Sequence, residues 1–111
     1  MKDLTQCRAE LDAIDSQLVA LFEERMRVAR DIALYKHKNN LNILDAARED
    51  VVLQSRAAQV SEDALRQPTV ALFREIMRLS REEQKRYLDA LGGAPGACKA
   101  AEEECGEGTD S

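Results

Sequence analysis

The sequence predicts an all-α protein: a long first helix, a short second helix and a third helix, paired with a second copy of the chain as a homodimer. Three observations lead to this prediction. Residues 1–91 are almost free of helix breakers, because the five glycines and one of the two prolines lie in the last twenty residues. The apolar residues are mostly Leu, Ala, Val and Ile rather than aromatic residues, which favours helices over a sheet. An apolar stripe with heptad spacing also runs through the first third of the chain.

The first predicted helix covers residues 3–37. Its stripe consists of Leu4, Cys7, Leu11, Ile14, Leu18, Leu21, Val28, Ile32 and Tyr35, with Arg25 as a charged member. A helix of this length measures about 50 Å, whereas a compact domain of this size is about 25–30 Å across. The chain alone therefore cannot bury the whole stripe, and a second copy is the simplest partner. Cys7, on this stripe, is expected to be a buried thiol.

A second, shorter helix follows a break in the pattern. The segment 39–42 (Asn-Asn-Leu-Asn) ends the first helix, since Asn favours turns and competes with helical hydrogen bonding. Asp45 has the residue type of an N-cap. The helix that it starts is expected to fade near Gln59.

The third predicted helix ends at Gly92-Gly93, a common kind of helix end. Pro68 fits the first turn of this helix, but it kinks the helix if the start lies nearer Glu62, and the sequence leaves both starts open. Residues 1–91 are thus predicted to form one domain. Residues 92–111 are predicted to be a flexible, acidic Gly/Ala/Glu-rich tail that carries Cys98 and Cys105, to which no function is assigned.

Charge and hydropathy exclude several classes of function. The net charge is −5 at pH 7. The predicted domain is nearly neutral, with fifteen Lys and Arg against sixteen Asp and Glu in residues 1–91, so no basic block marks a nucleic-acid surface. No stretch has the length of a membrane span or the apolar core of a signal peptide. We therefore expect a cytoplasmic protein that binds neither nucleic acid nor membrane.

Polar side chains interrupt the apolar stripes of all three predicted helices. They are Arg8, Arg25 and Lys36 on the first helix, Asp45, Arg48 and Glu49 in the first turn of the second, and Ser80 and Gln84 on the third. Each has a structural explanation when taken alone, such as a helix cap for Asp45 or a favourable dipole interaction for Lys36. Together, however, several cations on core-facing stripes are costly unless they share a ligand. The pattern indicates a small, polar, anionic ligand.

The spacing on the first helix indicates that two chains build one site. Arg25 and Lys36 are separated by about three turns, or roughly 16 Å, so their long side chains can grip the two ends of one small molecule. Arg8 lies about 25 Å from Arg25 along the helix axis and cannot reach the same ligand from its own chain. In an antiparallel dimer of the first helix, Arg8 of the partner subunit can reach it.

These residues form a pattern, Arg8-x6-Asp15-x9-Arg25-x10-Lys36, Asp45-x2-Arg48-Glu49 and Ser80-x3-Gln84, that resembles the all-helical class of chorismate mutases. The resemblance covers residues 4–88, and the segments LDAIDSQLVALFEERMRVARDIALYK and LFREIMRLS are similar to this family as well. It implies an intertwined helical homodimer that converts chorismate to prephenate by a [3,3]-sigmatropic rearrangement in phenylalanine and tyrosine biosynthesis. It also implies that the reaction uses neither a cofactor nor a metal.

The resemblance also implies a role for each polar residue. Arg25 and Arg8 of the partner subunit would hold the two carboxylates of chorismate, with Ser80 assisting. Lys36 and Gln84 would be the catalytic residues, as donors to the ether oxygen on which negative charge develops.

The remaining three residues would bind the other end of chorismate. Glu49 would accept a hydrogen bond from the ring hydroxyl, and the backbone near Asp45 would contribute. Arg48 would orient Glu49 and complete the cationic wall.

Three alternatives remain open at this stage. One is a lyase of the same fold that releases pyruvate from isochorismate in a similar cationic pocket. The second is a non-catalytic helical dimerisation module in which the polar residues only fix the register. The third is a weak mutase that a separate partner enzyme activates. A substrate assay distinguishes the first two from a mutase.

Overall fold

The computed structural model describes residues 1–92, which form three α-helices: α1 (Leu4–Lys38), α2 (Ala46–Gln59) and α3 (Arg66–Ala90). A single 3₁₀ turn, Asp63–Leu65, precedes α3, and this part of the chain contains no strand. The predicted all-α, three-helix chain is confirmed. In the same region, no helix combines the length and the apolar composition needed to cross a membrane. The predicted tail lies outside the described residues from position 93 onward, and so do Cys98 and Cys105.

Local side-chain chemistry sets both ends of α1. The Asp3 carboxylate accepts a hydrogen bond from the Gln6 backbone at 2.9 Å, and the Gln6 side chain accepts one from the Asp3 backbone at 3.0 Å. This reciprocal capping box satisfies two backbone donors that lack helical partners. At the other end, Asn39 caps the helix and Asn40 adopts a positive φ of 57°, which Asn tolerates better than most residues. The predicted helix end at residues 39–42 is therefore confirmed.

The start of α2 follows the predicted N-cap. The Asp45 side chain accepts a hydrogen bond from the Arg48 backbone N–H at 3.0 Å. This bond satisfies one of the free N–H groups in the first turn. The helix ends at Gln59, as the sequence predicts, and Val60 continues in an extended conformation.

The structure selects one of the two starts that the sequence left open for α3. Pro68 is the third residue of the helix, where a missing N–H costs nothing, so no kink is required. The Arg66 guanidinium donates to the backbone oxygens of Ala57 and Val60, which ties the start of α3 to the end of α2. The helix ends at Ala90, and Gly92 follows with φ of +96°.

The buried core lies between α3 and the other two helices. Its apolar members are Met26, Ala29, Ala33, Val52 and Met77. All three residues that α1 contributes come from the C-terminal half of that helix, and two of them are alanines that allow α3 to approach closely. The same half of α1 therefore provides the core and the residues beside it.

The N-terminal half of α1 extends beyond this core. The described chain measures 59 × 27 × 18 Å, so its long axis is close to the length of α1. Apolar side chains of the predicted stripe are exposed along the helix, among them Leu4, Leu11, Ile14, Leu18 and Leu21. Cys7 is exposed with them. The prediction of a buried Cys7 is therefore wrong for the single chain, because no other element of the described chain covers this end of the stripe.

Candidate active site

A cleft of about 430 Å³ lies between the C-terminal half of α1, the start of α2 and the middle of α3. Its size falls within the range of about 300–1,000 Å³ that is typical of small-molecule sites. Val28, Ile32, Val52 and Met77 provide apolar walls. The cleft thus offers an apolar surface for a ring, and its polar lining residues offer hydrogen-bonding and charged groups for the substituents of that ring.

The structure brings seven of the eight predicted site residues together around this cleft. They are Arg25, Lys36, Asp45, Arg48, Glu49, Ser80 and Gln84. Arg8 is not among the lining residues; it is exposed on α1, seventeen positions before Arg25. This placement agrees with the expectation that Arg8 does not reach the site of its own chain.

Arg25 and Ser80 form one end of the cleft. Arg25 Nη1 donates to Ser80 Oγ at 3.2 Å, and Ser80 is buried with only 8% of its surface exposed. Burial lowers the Arg25 pKa, and the like charge of Arg56 lowers it further. A guanidinium remains charged even so. Arg25 is therefore a partly desolvated, fixed cation, which binds a carboxylate more strongly than a fully hydrated cation does.

Lys36 approaches the cleft from the last turn of α1. Its Nζ donates to the backbone oxygen of Ile43 at 2.7 Å, in the connection between α1 and α2. Burial lowers the Lys36 pKa, while the charges of Asp45 and Glu49 raise it and offset part of the effect. An ammonium carries three N–H groups, so the bond to Ile43 orients Lys36 and leaves donors for a ligand.

Gln84 approaches from α3 on the opposite side, and its side chain is buried. Its Nε2 donates to the backbone oxygen of Ala29 at 2.9 Å. Because that oxygen can only accept, the amide nitrogen rather than the amide oxygen must face it. The bond fixes the amide plane, and the second N–H on the same nitrogen can serve an acceptor in the cleft.

Glu49 is held by a residue that the sequence did not single out. Arg81 Nη1 donates to both carboxylate oxygens of Glu49, at 2.7 and 2.6 Å. The resemblance had assigned the orientation of Glu49 to Arg48, but neighbouring residues on a helix point in different directions and do not face each other. Arg48 still lines the cleft. One signal for Arg81 exists in the sequence: it lies four residues after Met77 on the core-facing stripe of α3.

The charges of the cleft add up to a cationic site. Its lining contains four cations and two carboxylates: Arg25, Lys36, Arg48 and Arg81, with Asp45 and Glu49. With all six groups charged, the balance is four minus two, or +2. Such a cleft favours a small dianion. Among residues 1–92, no group of three or more His, Cys, Asp or Glu side chains is placed to hold a metal ion.

The three helices and the cationic cleft define a small all-helical protein whose cleft has the charge to suit an anionic small molecule. The sequence model of the chorismate mutase type II family matches residues 7–85, and the chain therefore belongs to this family. The chain is also similar to the T-protein of Haemophilus influenzae, with 26% identity over 88 residues. That alignment covers 78% of the chain but only 23% of the T-protein, so the chain spans about a quarter of the length of this relative. No solved structure matches the chain.

Proposed function

We propose that this protein is a chorismate mutase, an isomerase that converts chorismate to prephenate in the synthesis of phenylalanine and tyrosine without a cofactor. One observation carries the proposal: in a chain of this family, Lys36 and Gln84 reach the same cleft from two different helices. Each is oriented by a hydrogen bond to a backbone oxygen. Two fixed donors at a cationic cleft match a reaction in which negative charge develops on one oxygen.

The substrate fits the charges of the site. Chorismate carries two carboxylates, a ring hydroxyl and an ether oxygen, and its two negative charges suit the net positive charge of the cleft, which is +2 from one chain before Arg8 of the partner subunit is added. Arg25 and Ser80 would bind one carboxylate at their end of the cleft, where they already share a hydrogen bond. Glu49 would accept from the ring hydroxyl, and the apolar walls would contact the ring and the side chain.

Catalysis would have two sources. The cleft would hold chorismate in the compact conformer in which the two reacting carbons are close, which removes most of the entropic cost of reaching it. Lys36 and Gln84 would then stabilise the ether oxygen as the C–O bond breaks, at about 3–4 kcal/mol for each donor. The rearrangement transfers no proton, so neither residue would need to change its protonation state.

The active form would be a homodimer. The exposed stripe on the N-terminal half of α1 supports this part of the proposal, since a contiguous apolar surface of this kind marks an interface. Antiparallel pairing of two α1 helices would bring Arg8 of the partner subunit toward Arg25. Arg8 of the partner subunit would bind the second carboxylate of chorismate. One dimer would hold two equivalent sites.

Product identification tests the proposed reaction. Purified protein is incubated separately with chorismate and with isochorismate, and the products are identified by NMR. A mutase gives prephenate from chorismate, whereas release of pyruvate from isochorismate would mean the lyase reaction. If neither substrate reacts, either alone or with added cell extract, the proposal is wrong and the non-catalytic dimerisation module is favoured instead. Addition of a cell extract from the source organism checks whether a separate enzyme is needed for activation.

A further inference from the structure

The ion pair between Arg81 and Glu49 joins α3 to α2 at the cleft. Both oxygens of Glu49, on α2, lie within 2.7 Å of Arg81 Nη1, on α3. Only 15% of the Arg81 side chain and 25% of the Glu49 side chain are exposed. The pair is therefore largely shielded from water, in contrast to an exposed surface pair such as Arg78 with Glu75.

The contact leaves Glu49 able to bind a ligand. Each carboxylate oxygen has two acceptor positions, and the bonds from Arg81 use one on each oxygen. The free positions can accept from a hydroxyl group in the cleft, which Glu49 lines. Arg81 therefore restricts the rotation of the carboxylate without removing its capacity to accept.

Arg81 also offsets the electrostatic repulsion between Glu49 and the carboxylates of the proposed substrate. A carboxylate in a partly desolvated cleft repels a dianion that binds beside it. Removal of Arg81 would reduce the balance of lining charges from +2 to +1 and would leave Glu49 without this partner. A cation beside Glu49 offsets this repulsion while the carboxylate accepts from a substrate hydroxyl, and Arg81 is the cation that contacts both of its oxygens.

We propose that Arg81 is a positioning residue for substrate recognition: it aims the Glu49 carboxylate at the ring hydroxyl and cancels the repulsion between Glu49 and the substrate carboxylates. This inference rests on the proposed function. It assigns the selection for a hydroxylated ring to the Arg81–Glu49 pair rather than to Glu49 alone.

A double-mutant cycle tests the proposal. kcat and KM for chorismate are measured for wild type, Arg81→Met, Glu49→Gln and the double variant, with Arg81→Lys as the conservative variant. Arg78→Met is the matched control, since Arg78 lies on the same helix but is exposed and pairs with Glu75 and Glu82. We expect Arg81→Met to lower kcat/KM by about 30-fold or more, mainly through KM. Arg81→Lys should recover part of this loss, and the control should change kcat/KM by less than about 2-fold.

The cycle separates a positioning role from direct contact. If Arg81 acts through Glu49, the double variant should be within about 3-fold of Glu49→Gln alone, because the two residues work as one unit. Losses that multiply would mean that Arg81 contacts the substrate independently, and the proposal would be wrong. An unchanged kcat/KM in Arg81→Met would overturn it as well.

A second readout excludes a merely structural effect. The substrate analogue in which hydrogen replaces the ring hydroxyl is compared with chorismate for wild type and Arg81→Met. The wild type should prefer chorismate and the variant should lose most of that preference, whereas a loosened fold would slow both substrates equally and overturn the proposal. If Arg81→Met does not fold, Arg81→Gln is used in the same comparisons. Absence of chorismate turnover by the wild type would reject the proposed function itself, and this inference with it.

Discussion

Lys36 differs from an ordinary surface lysine in its burial and in the fixed position of its ammonium group. It is partly buried at the end of α1, and its Nζ is fixed by the backbone oxygen of Ile43. Burial lowers its pKa, and the charges of Asp45 and Glu49 limit the effect. The proposed mechanism needs the ammonium form, so we expect the titration of this one group to set the upper pH limit of activity.

The pH dependence of kcat/KM should therefore be one-sided. Because only Lys36 among the proposed catalytic residues titrates, we expect a flat profile from about pH 5 to about pH 9 and a fall above it, as the ammonium loses its proton. In Lys36→Arg, the fall should move to higher pH, since a guanidinium stays protonated. Initial rates at low chorismate concentration across this range measure both profiles. The same alkaline fall in wild type and Lys36→Arg would assign it to another group.

Gln84 provides the complementary case of a donor that does not titrate. Its amide nitrogen is fixed against the Ala29 oxygen. In Gln84→Glu, a carboxylate would face two acceptors, the Ala29 oxygen and the ether oxygen of the substrate. We expect kcat to fall by about 10²–10³-fold at pH 7.5 and to recover partly toward pH 5 as the carboxyl gains a proton. Steady-state kinetics at both pH values test this, and equal activity of the variant at both would contradict the donor role.

The site residues show what a sequence can and cannot reveal. Lys36 and Gln84 could be singled out because they interrupt apolar stripes, and both line the cleft, whereas their proposed catalytic roles come from the resemblance. The pairing of Glu49 was not, because its partner Arg81 lies on another helix, 32 positions later in the chain. Which side chains meet depends on how α2 and α3 are rotated against each other, and the apolar pattern defines that rotation only coarsely.

At the scale of the elements, the helix ends were predictable because their causes are local. Asp45 caps α2 through the Arg48 N–H three residues later, and Asn40 ends α1 with a positive φ. The start of α3 was not predictable, since Pro68 is compatible with either of two starts. The bonds from Arg66 to the end of α2 accompany the later start, and they are tertiary contacts that the sequence does not display.

A second cluster of charges joins α1 to α3 beside the site. Glu83 accepts from Arg30 Nε at 2.7 Å and from Arg86 Nε at 2.8 Å. The hydrogen bonds from Arg86 and Arg30 lower the pKa of Glu83 to about 2. Arg30 directly follows Ala29 in the sequence, and Glu83 directly precedes Gln84. Ala29 and Gln84 are themselves joined by a hydrogen bond. The cluster thus stabilises the helix contact on which the orientation of Gln84 depends.

The contribution of Glu83 to stability should depend on pH in a defined direction. Its pKa is lower in the folded chain than in the unfolded chain, so the stabilisation is complete above about pH 4.5 and is lost as the pH falls toward 2. We expect Glu83→Gln to lower the free energy of unfolding by about 1 kcal/mol at pH 7 and by progressively less toward pH 2. Urea unfolding of both proteins at equal concentration measures the difference. Glu75→Gln, which alters an exposed pair with Arg78, is the control. A difference that does not change with pH would contradict the assignment.

At the scale of the whole molecule, the elongated shape of the described chain follows from α1, whose N-terminal half is not covered by the other helices. The core residues of α1 all lie in its C-terminal half, and the apolar residues of its N-terminal half are exposed. The sequence already indicated this mismatch, since a 35-residue helix exceeds the diameter of a domain of this size. The proposed dimer would bury the stripe and complete the site in one step.

Subunit complementation tests the shared site. Arg8→Ala and Lys36→Ala should each be nearly inactive, because each removes one group from both sites of a homodimer. When the two variants are mixed, unfolded and refolded together, each mixed dimer contains one site with both residues intact. With random pairing, the mixture should regain about one quarter of the wild-type activity. No recovery, with mixed dimers confirmed by native mass spectrometry, would mean that Arg8 and Lys36 act within one chain.

Under the proposed function, the cleft of this chain catalyses the rearrangement of chorismate through Lys36. The most direct measurement is kcat/KM for prephenate formation by wild type, Lys36→Ala and Lys38→Ala, with circular dichroism to confirm that all three fold. Lys38 is the matched control, because it lies two residues further on the same helix and is exposed outside the cleft. We predict turnover by wild type and Lys38→Ala and a loss of at least about 10²-fold in folded Lys36→Ala. Equal turnover by Lys36→Ala and wild type would contradict the claim.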